Sequence, residues 1–531
     1  MRFFTFLLIC VFNLGLFHSC KKETNWDIDL EIPIANSHLD FSHFFGDSIF
    51  KSDTANLLHI ALKKEIINYT IDSLANLPDT TINLAYTLPF SIPLNPGTLI
   101  FSNSLTNDKE ITFDIDHDVE LNKAIIKSGY LKVEYLNTYS QPMKFNYQIS
   151  SARLWGEELS INQSVLGKSS LVKYYPLNGY EIDLTGLAGN RVNTIAHSYT
   201  ISTDEKGQPD VLLAGEGLII KISFLNLVPQ YIQGYFGQQH LTFASDSTYL
   251  GFSKNFNAKN ILLSQSSINM DITNELGVEL SGSIKNIRSI QTSPLTIITL
   301  NSDHLLQSLN IDRALKVNSI SGLIKPSLKK IDISSSNSNL NDFLQNLPNY
   351  LGYNMKGTIN PLGNISGGND FAYYGKGLKV VLNIDIPLAI SSDYFMLVNY
   401  SKLDLTNLKE LSNVNTCEIT LSALNNYPFA TDIQGYMLNN SSQIIDSLFV
   451  PGSNRIQAAQ TDNNNSIVSV TKSSLSCLFD KDKIQHLSEC KQIKFVTFFY
   501  PKQSSIPIKI QANGYLDLSV KAKINYNAIS K

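Results

Sequence analysis

The sequence predicts an all-β protein, built as tandem antiparallel β-sandwich-like domains with a few short helices. Three observations carry this. Apolar and polar residues alternate, as at Leu131, Val133 and Tyr135, at Met143, Phe145, Tyr147 and Ile149, and at Leu378, Val380, Leu382, Ile384 and Ile386. Period two sets one face of a strand on a core. The segments between are rich in turn formers, among them Asn95-Pro96-Gly97, 204–210, 361–370 and 461–465. Finally, only 17% of the 531 residues are charged, below the roughly 25% of ordinary soluble domains. Asn, Ser, Thr and Gln supply the polarity instead, which suits sheets and loops better than long charged helices.

The amino terminus comes first. Residues 1–19 read MRFFTFLLICVFNLGLFHS, with one charge at Arg2 and then an apolar run at 3–12. A membrane-crossing helix needs ~20 apolar residues; a short apolar core behind a positive charge has the shape of a secretory signal. Leu16-Phe17-His18-Ser19-Cys20 resembles the lipobox of bacterial lipoproteins in the looser form of the Bacteroidota. The resemblance implies cleavage before Cys20, acylation of that residue, an outer-membrane location with a periplasmic or surface-exposed body, and a polar tether over 21–25. The other reading is an ordinary signal peptide with an incidental cysteine. Next, 26–35 reads as a strand, and Pro33, which has no N–H for a ladder, marks it as an edge or bulged one.

Helical patterns are few: 37–45, 303–309, 341–347 and 481–488. The stretch 204–210 lies between HSYTIST and VLLAGEG and reads as a hairpin loop. At ~150 residues per domain the chain divides into three or four parts. The division read from composition is a signal at 1–19, a tether and β region at 20–105, and β domains at 106–266, 267–375 (with short helices) and 376–531.

Two internal repeats stand out. In the first, two strand-like stretches join through an Asn, at 129–149, 267–287 and 417–438, with Asn137, Asn274 and Asn425 at the bends. Asn bonds its own backbone in tight turns and tolerates left-handed angles. The second is Ile-Pro-aliphatic, at Ile32-Pro33-Ile34, Ile92-Pro93-Leu94, Ile386-Pro387-Leu388 and Ile506-Pro507-Ile508. Four such prolines suggest several sheets with blunted edges. The Asn repeat resembles the strand–Asn–strand signature of the water-stress type of late-embryogenesis-abundant β-sandwich. Together the lipobox, the opening Trp26, Asp27, Asp29 and Pro33, and the segments NLPNYLGYNMKGTINPLGN and ALNNYPFATDIQGYML resemble a group of large, uncharacterised Bacteroidota cell-envelope lipoproteins. That resemblance implies location and β architecture and no chemistry. Asp-Ser/Thr triplets at Asp47, Asp53, Asp72, Asp79, Asp246 and Asp446 resemble the periplasmic O-glycosylation acceptor of the same bacteria.

No HExxH, P-loop, GxGxxG or GxSxG occurs, so the motifs that announce zinc proteases, nucleotide binding and hydrolase elbows are missing. No cofactor is implied. Gly215-Glu-Gly217 and Gly375-Lys-Gly377 precede strand-like stretches, where a dinucleotide fold needs a helix. Ser170–Lys173 and Ser327–Lys330 have the Ser-x-x-Lys spacing of penicillin-recognising enzymes without the companion motifs. The nearest approach to a metal site is Asp114, Asp116 and Asp118, followed by Glu120. Calcium loops begin D-x-D-x-D, but Val119 and Ile125 stand where such a loop has Gly and Glu. A solvated edge-strand face fits these carboxylates better. Cys477 and Cys490 lie close enough in sequence to pair in an oxidising compartment, leaving Cys417 over; the other reading is three buried thiols. Tyr231, Tyr235 and Phe236, beside Gln and His, would make a sugar-stacking platform if exposed.

Net charge is −4, without the basic face that nucleic acid requires. The function expected is that of a non-enzymatic lipid-anchored envelope protein, which binds the membrane through its lipid and has envelope proteins or glycans as partners. A lipid-binding or transfer protein, and a polysaccharide-acting or glycan-binding one, are the alternatives.

Overall fold

The computed structural model describes residues 24–41, 50–70, 77–105, 109–250, 256–259, 262–263, 265–306, 308–318, 323–403, 414–462, 467–501 and 507–530. The signal, Cys20 and the Asp47 and Asp72 triplets lie outside them. The chain is all-β, with short helices at α1 (Asp303–Leu306), α2 (Leu340–Gln345) and α3 (Lys481–Glu489). Asp480 caps α3, its carboxylate accepting from the Lys483 N–H at 2.9 Å. The helix expected at 37–45 does not form where described: Ser37 and Leu39 continue the first strand, buried on its inward side.

The strands make three sandwiches nested inside one another. Three amino-terminal strands come first: β1 (Thr24–Leu39), β2 (Leu58–Thr70) and β3 (Thr80–Thr87). The inner sandwich combines β3 with β4 (Leu99–Ser102), β5 (Glu120–Asn137), β6 (Met143–Leu154), β7 (Glu157–Val165), β8 (Ser169–Pro176), β9 (Ser198–Thr203) and β10 (Gly217–Tyr235). The middle one combines β2 with β11 (Gln239–Tyr249), β12 (Ser267–Asn274), β13 (Leu280–Thr292), β14 (Leu295–Thr299), β15 (Ser327–Ser334), β16 (Tyr350–Ile359) and β17 (Gly377–Pro387). The outer one combines β1 with β18 (Tyr394–Lys402), β19 (Val414–Asn425), β20 (Thr431–Leu438), β21 (Ile444–Ser447), β22 (Thr471–Phe479), β23 (Gln492–Phe499) and β24 (Leu516–Ser530).

All three share one topology. Counting strands within each sandwich from first to eighth, one antiparallel sheet runs first–eighth–third–sixth. The other runs second–seventh–fourth–fifth. These ladders are β3-β10-β5-β8 and β4-β9-β6-β7 in the inner sandwich. They are β2-β17-β12-β15 and β11-β16-β13-β14 in the middle. In the outer they are β1-β24-β19-β22 and β18-β23-β20-β21. In the inner sandwich Glu181–Asp183 pairs with both β5 and β6 and joins the two sheets. The sheets therefore do not follow the contiguous division at 105, 266 and 375: residues 24–87 hand one long strand to each sandwich, in reverse order, and the short strand Phe50–Ser52 pairs outside the one in the middle.

The Asn repeat explains how each sandwich is closed. Its strands lie in different sheets, so the bend is an arch across the core and not a hairpin. Asn137, Asn274 and Asn425 are all fully buried. Each accepts from the N–H two residues on, Tyr139, Leu276 or Tyr427, at 2.9, 3.0 and 2.9 Å. Each amide donates to the carbonyl four residues on, Gln141, Val278 or Phe429, at 2.9, 3.0 and 3.1 Å. Each also donates to a remote loop, at Val165 and Leu166, at Asp312, or at Gln457. One side chain thus satisfies backbone groups that the arch buries away from water. The glycine pairs belong to the same plan. Gly217 and Gly377 open the eighth strand, where a Cβ would sit 1.9 Å from the Tyr86 carbonyl oxygen or 2.1 Å from that of Tyr69 on the first strand.

The prolines sit where a missing N–H does no harm. Pro33 marks a register shift on β1, an edge strand. Pro93 lies in a two-stranded pair, Pro387 ends β17, and Pro507 precedes the short strand at Ile508. The 204–210 loop is not a hairpin: Asp210–Leu212 pairs with Ile92–Leu94 instead of β9.

Candidate functional site

Two polar hollows lie over the ladders of first and eighth strands, and each holds a histidine between two aspartates. In the middle sandwich the turn before β2 fixes Asp53, whose Oδ1 accepts the N–H groups of Ala55 and Leu57 at 2.9 and 2.8 Å. The Leu57 N–H, opposed by partial desolvation and helped by Ala55 and His59, holds this carboxyl below its ordinary pKa. His59 Nε2 is 3.5 Å from Asp53 Oδ2, and its Nδ1 is 2.8 Å from Asp385 Oδ1 on β17. The hollow measures about 400 Å³ and is also lined by Lys51, Lys63, Asn269 and Asn383.

In the outer sandwich His38 Nδ1 lies 2.5 Å from Asp517 Oδ1 on β24, and its Nε2 is 3.3 Å from Asp40 Oδ2. Its ring stacks on Tyr515 with centroids 5.8 Å apart. This hollow measures about 470 Å³ and includes Ser422, Lys472 and Ser519. Around each imidazole, carboxylates and lysines present acceptors and donors to polar ligands: Asp53, Asp385, Lys51 and Lys63 in one hollow, Asp517 and Lys472 in the other. Neither hollow was legible in the sequence, because the aspartates that bond His59 and His38 across the ladders are 326 and 479 residues away.

The aromatic residues expected to form an exposed platform are placed differently. Phe236 is fully buried and Tyr231 nearly so, while Tyr235 is half-buried. They stand where the inner sandwich meets the middle one. There, Asp370–Tyr373, from the connection between β16 and β17, pairs with Tyr231–Gly234 of β10. Tyr231 packs against Tyr373 at 4.8 Å between centroids, and Lys316 Nζ lies over the Tyr231 and Phe371 rings at 5.1 and 4.8 Å. Lys316 donates to Tyr231 Oη at 2.6 Å and to Gln233 Oε1 at 2.9 Å. Burial, with Lys123 and Arg313 nearby, pulls its amine below the usual range. Asp370, wholly buried, accepts from the Phe236 N–H at 3.1 Å and from Asn360 Nδ2 at 2.7 Å, with Arg313 Nη2 at 3.6 Å. This is a structural joint: its rings face protein.

The remaining candidates do not converge. Asp114 and Asp116 are exposed in the loop before β5, and Asp118 follows in a turn where His117 and Asp118 take φ of 64° and 55°. The strand face expected there is absent, because those angles break a ladder. Among the described residues no three His, Cys, Asp or Glu side chains gather as a metal site. Ser170, Lys173, Ser327 and Lys330 are on strands, so neither Ser-x-x-Lys pair shares a helix face. Cys417, Cys477 and Cys490 are free thiols, so the Cys477–Cys490 pairing is not made: Cys477 sits on β22, half-exposed, and Cys490 is buried at the end of α3. Burial pushes the Cys417 thiol up to about 11. Thr54 is exposed and Ser447 half-buried among the described Asp-Ser/Thr triplets.

No family model and no curated sequence matches the chain. Among solved structures, a "putative secreted protein" of Parabacteroides distasonis is similar at 12% identity and a TM-score of 0.27, over 53% of this chain and 82% of that one. The Broad Bean Stain Virus structure is similar at 10% identity and 0.15, over 58% and 90%. The infectious bursal disease virus Gx strain is similar at 10% identity and 0.14, over 91% and 85%. Scores this low carry no argument about this chain.

Proposed function

We propose that the protein is a lipid-anchored, non-enzymatic component of the bacterial outer-membrane envelope that binds polar partners, glycans or envelope proteins, on its sandwich faces. The observation that carries the reading is a strand pairing within four residues of Cys20. β1 starts at Thr24 and pairs there with Ser530 of β24. Four residues from Cys20 span at most about 14 Å, so an acyl group on Cys20 would hold this end of the outer sandwich close to a bilayer. Several acyl chains anchor stably where one is marginal. The polar hollows at His38 and His59 supply the binding surfaces in this reading.

Metabolic labelling with an alkyne fatty acid, followed by detergent-phase partitioning, tests the anchor. The wild type should take up label and enter the detergent phase, and Cys20→Ala should do neither. An unlabelled wild type, with Cys20→Ala still in the membrane fraction, overturns the proposal.

A further inference from the structure

The shared topology lets each sandwich serve as a control for the other two. One position stands out, the residue eight beyond the arch asparagine, on the fourth strand and facing the core. In the inner sandwich it is Phe145, paired with Ile201, which pairs in turn with Phe101. In the outer one it is Ile433, paired with Thr497, which pairs with Leu397. Phe145, Ile201, Ile433 and Thr497 are all fully buried. In the middle sandwich the same row reads Gly282 paired with Gly357, flanked by Leu309 and Leu241. Two adjacent inward-facing positions there, both half-buried, carry no side chain.

The neighbours do not fill the space. Rings pack this region in the other two sandwiches: Phe145 lies 5.9 Å from Tyr135 and 5.7 Å from Tyr147, and Phe395 lies 4.8 Å from Phe499 and 5.3 Å from Phe429. At the sites matching Tyr135, Tyr147 and Phe429 the middle sandwich has the smaller Ile272, Ile284 and Val278. A gap of about 40 Å³ remains, walled by Ile67, Ile272, Ile284, Leu309, Met355 and Val380 from both sheets. The backbone does not demand glycine: neither Gly282 nor Gly357 has a positive φ. A Cβ on Gly282 would come no closer than 3.5 Å to any atom, and one on Gly357 no closer than 3.5 Å. Interiors are ordinarily close-packed, and an unfilled apolar space costs stability.

We propose that the middle sandwich is a binding site for a small apolar group, an aliphatic molecule or the end of an aliphatic chain, seated over Gly282 and Gly357. One water-sized body needs roughly 10–15 Å³ of such space, so the gap takes about three or four heavy atoms and not a whole acyl chain. Most of the lining is aliphatic; Ser281, Ser283 and Lys356 also border the gap, but they alternate with the two glycines along their strands, so their side chains belong to the opposite face. Filling it restores the packing that the rings provide in the inner and outer sandwiches.

Met355 lines the gap, so its methyl signal is a local reporter. The chain after Cys20, carrying ¹³C-methyl methionine, is titrated with xenon, n-butanol and dodecanoate. Saturable movement of the Met355 signal with any of them supports the site. Movement with xenon and butanol alone identifies a free small molecule as the source, and movement with dodecanoate as well identifies a chain end. Gly282→Val and Gly357→Val should each weaken the response at least tenfold. Should neither variant fold, displacement of xenon by butanol at wild-type Met355 gives the same answer. A Met355 signal unmoved by all three probes overturns the proposal.

Discussion

Replacing Asn425 by aspartate exchanges an NH₂ for an oxygen and leaves the shape of the side chain unchanged. The two amide donations, to Phe429 O at 3.1 Å and Gln457 O at 2.8 Å, become contacts between oxygens. Each lost bond is worth ~1 kcal/mol net, and a buried carbonyl left unpaired costs ~1–3 kcal/mol. Together these come to about 4 kcal/mol at neutral pH. Burial raises the new carboxyl's pKa above the ~3.9 of an exposed aspartate. A protonated carboxyl donates one bond, so near pH 4 the deficit falls to about 2 kcal/mol. The sign follows from linkage: the folded pKa exceeds the unfolded one, so the variant is least impaired at low pH and loses stability as pH rises through the folded value. Urea unfolding followed by far-ultraviolet circular dichroism at pH 4 and pH 7 measures both numbers. At a slope of ~2 kcal/mol per molar, the outer-sandwich transition should move down by about 2 M at pH 7 and about 1 M at pH 4. A variant within about 0.5 kcal/mol of wild type, or a deficit equal at both pH values, would refute the account of the arch.

Three further outcomes are expected. Residues 77–236 hold all eight strands of the inner sandwich, so this fragment should fold alone with dispersed NMR signals; a collapsed spectrum would show that the nesting is energetic as well as topological. Gly357→Ala should raise stability by ~0.4–1 kcal/mol by reducing unfolded-chain entropy. Gly277→Ala, whose Cβ would meet the Phe371 ring at 2.2 Å, should lower it by ~1–3 kcal/mol, and paired thermal melts distinguish the two. A maleimide should modify Cys477 in the native chain and reach the buried Cys417 and Cys490 only after unfolding; a native chain with Cys477 unreactive and a mass two hydrogen atoms short would restore the disulfide.

What could be read from the sequence was local. The alternation at 131–135, 143–149 and 378–386 marked true strands, and three of the four helical stretches hold helices. The three asparagines were visible as a repeat. Their meaning was not, because an Asn bend looks the same in a hairpin and in an arch, and the choice rests on which distant strands pair. β12 finds β17 and β15, while β13 finds β16 and β14. The nesting was hidden for the same reason: β1 pairs with β24 across most of the chain. Tyr231 and Phe236 show the limit of composition. Aromatic residues beside Gln and His fit a sugar platform or a buried joint equally well, and only the strand from 370–373 decides. Gly282 and Gly357 were unremarkable until the other two sandwiches showed what belongs there.

The nested order also sets a timetable for a chain that leaves the ribosome amino end first. The inner sandwich has its last strand at Tyr235, the middle one at Pro387 and the outer one only at Ser530. Among the described strands β1 is therefore the first made and the last to find its partner. Until β24 emerges, its row of N–H and C=O groups has no native ladder, and such unpaired strands are prone to aggregation. Pro33, with the charged Asp29 and Glu31 nearby, makes β1 a poor template for wrong pairing during that wait. Maturation runs from the inside outward, and the segment next to Cys20 closes the molecule.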